Sequence, residues 1–365
     1  MTLADRVQQS RAPFVVRDNH TGRVWTLDNT ADHAEAVATC PVRYLLQDGL
    51  TQLCADLAYS KGAKKLACAD LLRMPSTQFW VEWCNGPWQR ALQRYGFPLV
   101  PGACQWIGRR GALVSASADG RRGSIRTFWS VGDNEQEVLT SSIESFFDLD
   151  TADGQRPRAP DLQEWGETMQ VHDKTAGADD DVLSRCFRFR YERSWAEYYA
   201  NAGLSQADSA ILWGHTLGTI ALDIPMLLAF ALLLCTRTGL PQHTSNLERL
   251  NRARTRAGRT PLLEHVVVSA PFLPEYSEKQ QPDVRGSRRS PRLHHVRGHL
   301  MRRGSELFWR VPHLRGSART GIVRSRTVIW TLDEAQARRG GLAEPHRPLA
   351  DIVVDRAQAM SRDMH

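Results

Sequence analysis

An α+β fold with a mixed N-terminal portion, a central helical core and a C-terminal antiparallel sheet is predicted by three features of the chain. Apolar residues at helical spacing and at alternating spacing follow each other without a regular βαβ rhythm. A single apolar run, IPMLLAFALLLC at 224–235, is long enough for a core helix. After residue 260 the apolar period switches to two and stays there. With 365 residues and 42% hydrophobic content, the chain can build a sizeable core.

Element by element, RVWTL (23–27) reads as a short strand. Leu45, Leu46, Leu50, Leu53 and Leu57 fall on one helical face, and a second short helix is expected over AKKLACADLLRM (63–74). PSTQFWVEWCNG follows, where Phe79, Val81 and Trp83 alternate with Trp80 and Glu82. That pattern predicts a core strand with Glu82 on its solvent edge. LVPGACQWIGRRGALVSASADGRRGSIRTFWSVG predicts two or three strands joined at GRRG and DGRRG. Residues 144–161 and 173–181 are rich in acids and turn formers and read as loops. Helices are expected over 182–200, 205–216 and 224–237, the last stopped by Gly239 and Pro241. A further helix, capped by Ser245 or Asn246 and closed by Gly258, carries a basic outer face of Arg249, Arg252, Arg254 and Arg256. Residues 262–270, 293–303, 306–316 and 321–332 predict four antiparallel strands. The chain thus divides into a mixed region (1–160), a helical region (161–258), a basic sheet region (259–333) and a charged tail (334–365).

Charge is segregated along the chain. The whole carries +7, but the 78 residues from Arg249 to Arg326 carry seventeen Arg and one Lys against five acids, which is +13 and leaves −6 for the rest. The stretch RRSPRLHHVRGHLMRR (288–303) alone holds six arginines and three histidines. Such a density repels itself unless an anion neutralises it, and the planar guanidinium fork binds phosphate in two-pronged fashion. Arg292, His295, Arg297, His299, Arg302, Arg303, Arg310, His313, Arg315, Arg324 and Arg326 are therefore the candidate nucleic-acid contacts. On a continuous strand His295, Arg297 and His299 share one face, and two imidazoles beside a guanidinium are the groups a metal-independent ribonuclease needs. Imidazoles also stack on bases or touch phosphate without turnover.

Other chemistries find less support. Seven scattered cysteines without a CxxC pair read as reduced thiols, which fits a cytoplasmic protein and neither a disulfide frame nor a zinc site. His295, His299 and His313 lack a neighbouring carboxylate cluster, so no metal is expected. GHTLG (214–218) imitates a nucleophile elbow with Thr216 in place of serine, but its helical context predicts a packing turn. Neither GxxxxGK[ST] nor GxGxxG is present, and no cofactor is implied. Arg188, Arg190, Tyr191, Trp195 and Tyr198 offer either base stacking or one face of a half-buried helix. No apolar run spans a bilayer and MTLADRVQQSRAPF lacks the apolar stretch of a secretion signal, so no membrane partner is expected.

Three landmarks occur in order: LLRMPSTQFWVEW, NLERLNRARTRAGRTPLLEHVVV, and SPRLHHVRGHLMRR followed by FWRVPHLRG. Together they resemble a family of proteins carried by phages, prophages and plasmids, whose best-known relative is the type V-A anti-CRISPR protein that lowers the messenger RNA of the CRISPR effector nuclease. The resemblance covers residues 65–90 and 225–330, with Arg297, Gly298 and His299 as its most specific core. This chain lacks tryptophans around that core. The resemblance implies a mobile-element accessory protein in the cytoplasm of a bacterial host. Its N-terminal and central parts would recognise a host or CRISPR protein or a nascent peptide, and its basic sheet would engage RNA rather than DNA. The residues themselves leave two competitors, a metal-independent endoribonuclease using His295 and His299 and a protein-binding inhibitor without nucleic-acid contact.

Overall fold

A computed structural model describes residues 1–10, 14–17, 24–59, 71–95, 107–131, 137–150, 186–201, 220, 222–271, 292–296, 299–310, 313–315 and 317–322. The class is α+β, and the chain forms two compact units, one of residues 1–235 with 242–268 and one of 236–241 with 269–365. The loop expected at 144–161 is corrected over 144–148, which belong to a strand (Ile143–Asp148) whose backbone groups are taken up by neighbours on both sides. Residues 151–161, the loop at 173–181, the helix at 205–216, GHTLG and the tail lie outside the described residues, as does most of the helix expected at 63–74.

The first unit is built on a mixed nine-stranded sheet. Its strands are β3 (Arg43–Leu46), β4 (Gln78–Cys84), β5 (Ile107–Ala116), β6 (Arg122–Val131), β7 (Glu137–Thr140), β8 (Ile143–Asp148), β9 (Phe187–Tyr191), β10 (Gln242–Thr244) and β11 (Val266–Val268). They lie in the order β10-β11-β3-β4-β5-β6-β8-β9, with β7 also paired to β6. β11, β3 and β4 run parallel to one another, and the β4-β5-β6-β8-β9 ladders are antiparallel. A separate ladder joins β1 (Phe14–Arg17) to β2 (Val24–Leu27), as the RVWTL pattern predicts for its second strand. The helices of this unit are α1 (Leu3–Gln9), α2 (Ala34–Ala38), α3 (Asp48–Tyr59), α4 (Asn85–Arg94), α5 (Arg193–Asn201), α6 (222–234) and α7 (Glu248–Arg256).

Several local expectations are corrected. Residues 43–46 are a strand, because Tyr44 and Leu46 alternate into the core between two parallel neighbours; α3 begins only at Asp48. Residues 187–191 are also extended, with Phe187 and Phe189 buried against β8, and the following α5 covers only Arg193–Asn201. GRRG at 108–111 is no turn but the interior of β5, where a Cβ on Gly111 would come within 2.6 Å of the Trp80 ring. The turn lies where DGRRG predicts it, with Gly120 at φ +71° between β5 and β6. The last correction concerns 262–270. Its strand β11 enters the large sheet beside β3 and takes no part in a C-terminal meander.

Glu82 does not sit on a solvent edge: it is 1% exposed. Its carboxylate receives the backbone N–H groups of Leu3 (3.1 Å) and Ala4 (3.0 Å), in the first turn of α1, and the indole N–H of Trp80 (3.0 Å). Arg109 adds its guanidinium at 3.3 Å. A carboxylate on the sheet thus satisfies helix donors that would otherwise lack partners. Asp5, in a capping box with Thr2, also accepts from Leu263 N–H at 2.7 Å. α1 thereby seals the cluster of Leu3, Val7, Val37, Trp80, Leu113 and Phe128.

The apolar run forms α6, as its length predicts, and is almost wholly buried; Phe230 meets Tyr44 edge-on at 5.3 Å. Its one charge, Asp223, lies 3.0 Å from Arg110 of β5, and neither side chain is more than 1% exposed. Arg110 also donates to Asn85 Oδ1 (2.7 Å) and stacks over Trp88 at 3.9 Å. Burial pushes the Asp223 carboxyl up to about 6 against the lowering pull of the guanidinium.

Arg110→Ala should destabilise the chain by about 3–5 kcal/mol, because a buried charge loses its partner. Without the guanidinium the Asp223 pKa rises further, so the variant holds a proton that the wild type releases above about 6. The stability deficit should therefore widen as pH rises from about 5 to about 8. Urea unfolding at the two pH values checks this, and an equal deficit at both would contradict it.

Candidate nucleic-acid interface

The basic C-terminal strands form two small sheets. β12 (Arg292–Val296), β15 (His313–Arg315) and β16 (Ser317–Ile322) make one, ordered β15-β12-β16; β13 (His299–Arg303) and β14 (Glu306–Arg310) make the other. The single antiparallel meander is corrected in three respects, the first being that residues 306–316 are two strands, β14 and β15, in different sheets. β16 runs parallel to β12, and residues 293–303 are two strands that hydrogen-bond to different partners. Partner choice overrides the continuous alternation of LHHVRGHLMRR, because each half satisfies its backbone groups in a different ladder.

The hairpin follows from its residues. Gly304 takes φ +61°, which suits a two-residue loop, and Arg303 faces Glu306 across it. Directly opposed residues share a face. Leu300 opposes Trp309 and Arg302 opposes Leu307, and Leu307 and Trp309 are buried. The other face carries His299 opposite Arg310, Met301 opposite Phe308, and Arg303 opposite Glu306. On that face Arg303 and Arg310 are exposed and Phe308 is half-buried, with the Arg303 guanidinium 5.9 Å from the Phe308 ring centre.

Residues 236–241 run along β14. Arg237 N–H donates to Leu307 O (2.9 Å), and Thr238 Oγ1 both donates to Trp309 O (3.2 Å) and accepts from Trp309 N–H (3.1 Å). Glu306, the only acid in β13 and β14, pairs with Arg237 at 2.9 Å. Among the described residues Arg303 and Arg310 have no carboxylate partner.

Arg292 and His295 belong to β12, where Arg292 stands opposite Ser317 and His295 opposite Leu314 in the ladders. His313 and Arg315 of β15 stand opposite Val296 and His294. His299, Arg303 and Arg310 share one face of the hairpin, and Arg302 lies on the other, opposite Leu307. Arg297, Arg324 and Arg326 lie outside the described residues. His295 and His299 are not neighbours on one strand; they sit in different sheets, which removes the alternating geometry that placed them on one face. Phe308 and Met301 are the additions. The alternation of ELFWR already sets Phe308 two residues from Arg310, on the same face.

The aromatic group elsewhere is half-buried and tied into the large-sheet unit. Trp195 donates its indole N–H to Asp28 O at 2.8 Å, Tyr191 and Tyr199 lie 4.9 Å apart, and Arg190 pairs with Glu144 at 3.0 Å. Among the described residues no three His, Cys, Asp or Glu side chains are grouped to hold a metal ion, and no helix is long and apolar enough to cross a membrane. Comparison with protein-family models, curated proteins and solved structures returns no match.

The outward face separates stacking from charge. Phe308→Ala should lower affinity for single-stranded RNA about 5- to 100-fold and leave the salt slope unchanged. Arg310→Ala should reduce that slope by about 0.7. Fluorescence anisotropy at several salt concentrations measures both; wild-type behaviour in either variant would remove that residue from the interface.

Proposed function

We propose that the chain is a cytoplasmic accessory protein of a mobile element, of phage type, that binds RNA through its C-terminal Arg/His-rich unit and interferes with host or defence machinery. The observation that carries the RNA-binding claim is the difference in how arginine is used. In the large-sheet unit Arg94, Arg109, Arg110, Arg121, Arg126 and Arg190 pair with Asp56, Glu82, Asp223, Asp150, Glu144 and Glu144 respectively. On the hairpin, Arg303 and Arg310 flank a half-buried phenylalanine and have no carboxylate partner among the described residues. Guanidinium beside a partly exposed ring on a strand face is the chemistry that grips a phosphate and stacks an unpaired base. RNA is favoured over DNA, and interference with defence is favoured over housekeeping, by the resemblance of the three sequence landmarks to the phage-borne family.

Purified full-length chain incubated with labelled RNA in EDTA, at two salt concentrations, tests this. Binding that weakens steeply with salt and leaves the RNA intact is the expected result. Cleavage abolished in a His295→Ala/His299→Ala variant would make the protein a ribonuclease instead. An absence of binding would point to a protein partner alone.

A further inference from the structure

A second basic element stands on the large-sheet unit. β10 and β11 pair antiparallel, from Gln242 opposite Val268 to Thr244 opposite Val266. Two further bonds extend the ladder: Ser245 N–H to His265 O (2.8 Å) and His265 N–H to Ser245 Oγ (2.9 Å). Between these points the chain leaves the sheet as an arm and returns, and the arm carries one helix, α7. Leu247, not Ser245 or Asn246, is the α7 N-cap residue, and it makes no side-chain bond to the helix. Gly258, at φ +66°, closes the helix as its sequence predicts.

No residue of α7 is buried. A nine-residue helix without an apolar face is marginal on its own, so something else holds it. The returning strand does so with polar bonds. Asn251 donates to Leu262 O (2.9 Å) and accepts from Leu262 N–H (2.7 Å), and Arg254 donates to Thr260 O (2.8 Å). Fixing Asn251 and Arg254 inward leaves Arg249, Arg252 and Arg256, spaced i, i+3, i+7, on the outward face, where all three are exposed. Arg252 pairs with Glu248. Arg249 and Arg256 have no carboxylate partner among the described residues. The three guanidiniums span about 10 Å along the axis, and no asparagine or glutamine that could read a base edge shares their face.

We propose that this arm is a second, sequence-independent RNA contact, in which Arg249, Arg252 and Arg256 grip the phosphodiester backbone. The proposal rests on the reading that the chain binds RNA. An element that adds nothing to the core yet is pinned by two side chains so as to present three arginines is accounted for by a polyanion, and the polyanion of the proposed function is RNA.

The test compares full-length wild type with Arg249→Gln/Arg252→Gln/Arg256→Gln, the corresponding triple Lys variant, and Phe308→Ala/Arg310→Ala. The probe is labelled poly(U) RNA, titrated at several salt concentrations. Glutamine and lysine keep arginine's helix propensity, and circular dichroism with thermal melting verifies the fold. The glutamine variant should lose about 2 from the salt slope and about 100-fold in affinity at about 0.1 M salt, while the lysine variant keeps the slope. A wild-type slope in the glutamine variant overturns the arm contact; if the hairpin variant is weakened in the same experiment, the proposed function stands without it. A reduced slope in the glutamine variant with unchanged binding by the hairpin variant supports the arm and overturns the hairpin as the RNA surface. Failure of wild type to bind overturns both.

Discussion

Arg110 and Asp223 meet in the interior of the large-sheet unit, where neither has more than 1% of its side chain exposed, and the packing of the apolar helix on the sheet is conditioned by that meeting. α6 is buried nearly throughout and brings one carboxyl group with it. The sheet answers with a guanidinium that Asn85 and Trp88 hold in place from one side. Two isolated charges in this environment would be costly; together, hydrogen-bonded and stacked, they fix which residue of the helix faces which strand. Glu82 has a comparable role on the neighbouring strand, where it joins β4 to the first turn of α1 and to Arg109 of β5. Both devices use charge to specify neighbours inside a core, and both consume arginines that a count of net charge treats as available.

That distinction organises the rest of the molecule. Several arginines of the body are committed to carboxylates: Arg126 lies between Asp28 and Glu144, Arg190 shares Glu144, and Arg94 reaches Asp56. The C-terminal hairpin and the α7 arm each carry two arginines without a carboxylate partner among the described residues, Arg303 with Arg310 and Arg249 with Arg256. In the hairpin the one acid, Glu306, is neutralised by Arg237 from a separate segment, which leaves Arg303 and Arg310 to face outward. In the arm, Glu248 pairs with Arg252, and Arg249 and Arg256 remain without a described acid. Local charge that the fold does not compensate is where an anionic ligand gains most.

The class, the strand at 79–83, the β5–β6 turn and the apolar helix were legible in the sequence because each is decided by near neighbours. Alternation around Trp80, a glycine that can take positive φ at 120, and twelve consecutive apolar residues are local signals. What was not legible depends on partners far along the chain. Glu82 reads as a solvent-edge acid until the N–H groups of Leu3 and Ala4 arrive from 79 and 78 residues away. Arg43–Leu46 and Phe187–Tyr191 read as helical until two strands or one claim their backbone groups. The same limit applies to the interface. Which residues are basic was plain; Phe308 was missed, although the alternation of ELFWR sets it on one face with Arg310. That His295 and His299 fall in different sheets was not, because only the choice of ladder partners divides LHHVRGHLMRR in two.

Cross-linking tests the central claim most directly. Full-length protein would be irradiated with RNA carrying 4-thiouridine, digested, and the nucleotide-bearing peptides identified by mass spectrometry. The account predicts cross-links on the peptides containing Met301 and Phe308, the half-buried apolar residues on the face of the two exposed arginines. Cross-links confined to the Trp195–Tyr199 helix or to the large sheet, with the hairpin unmodified, would contradict it.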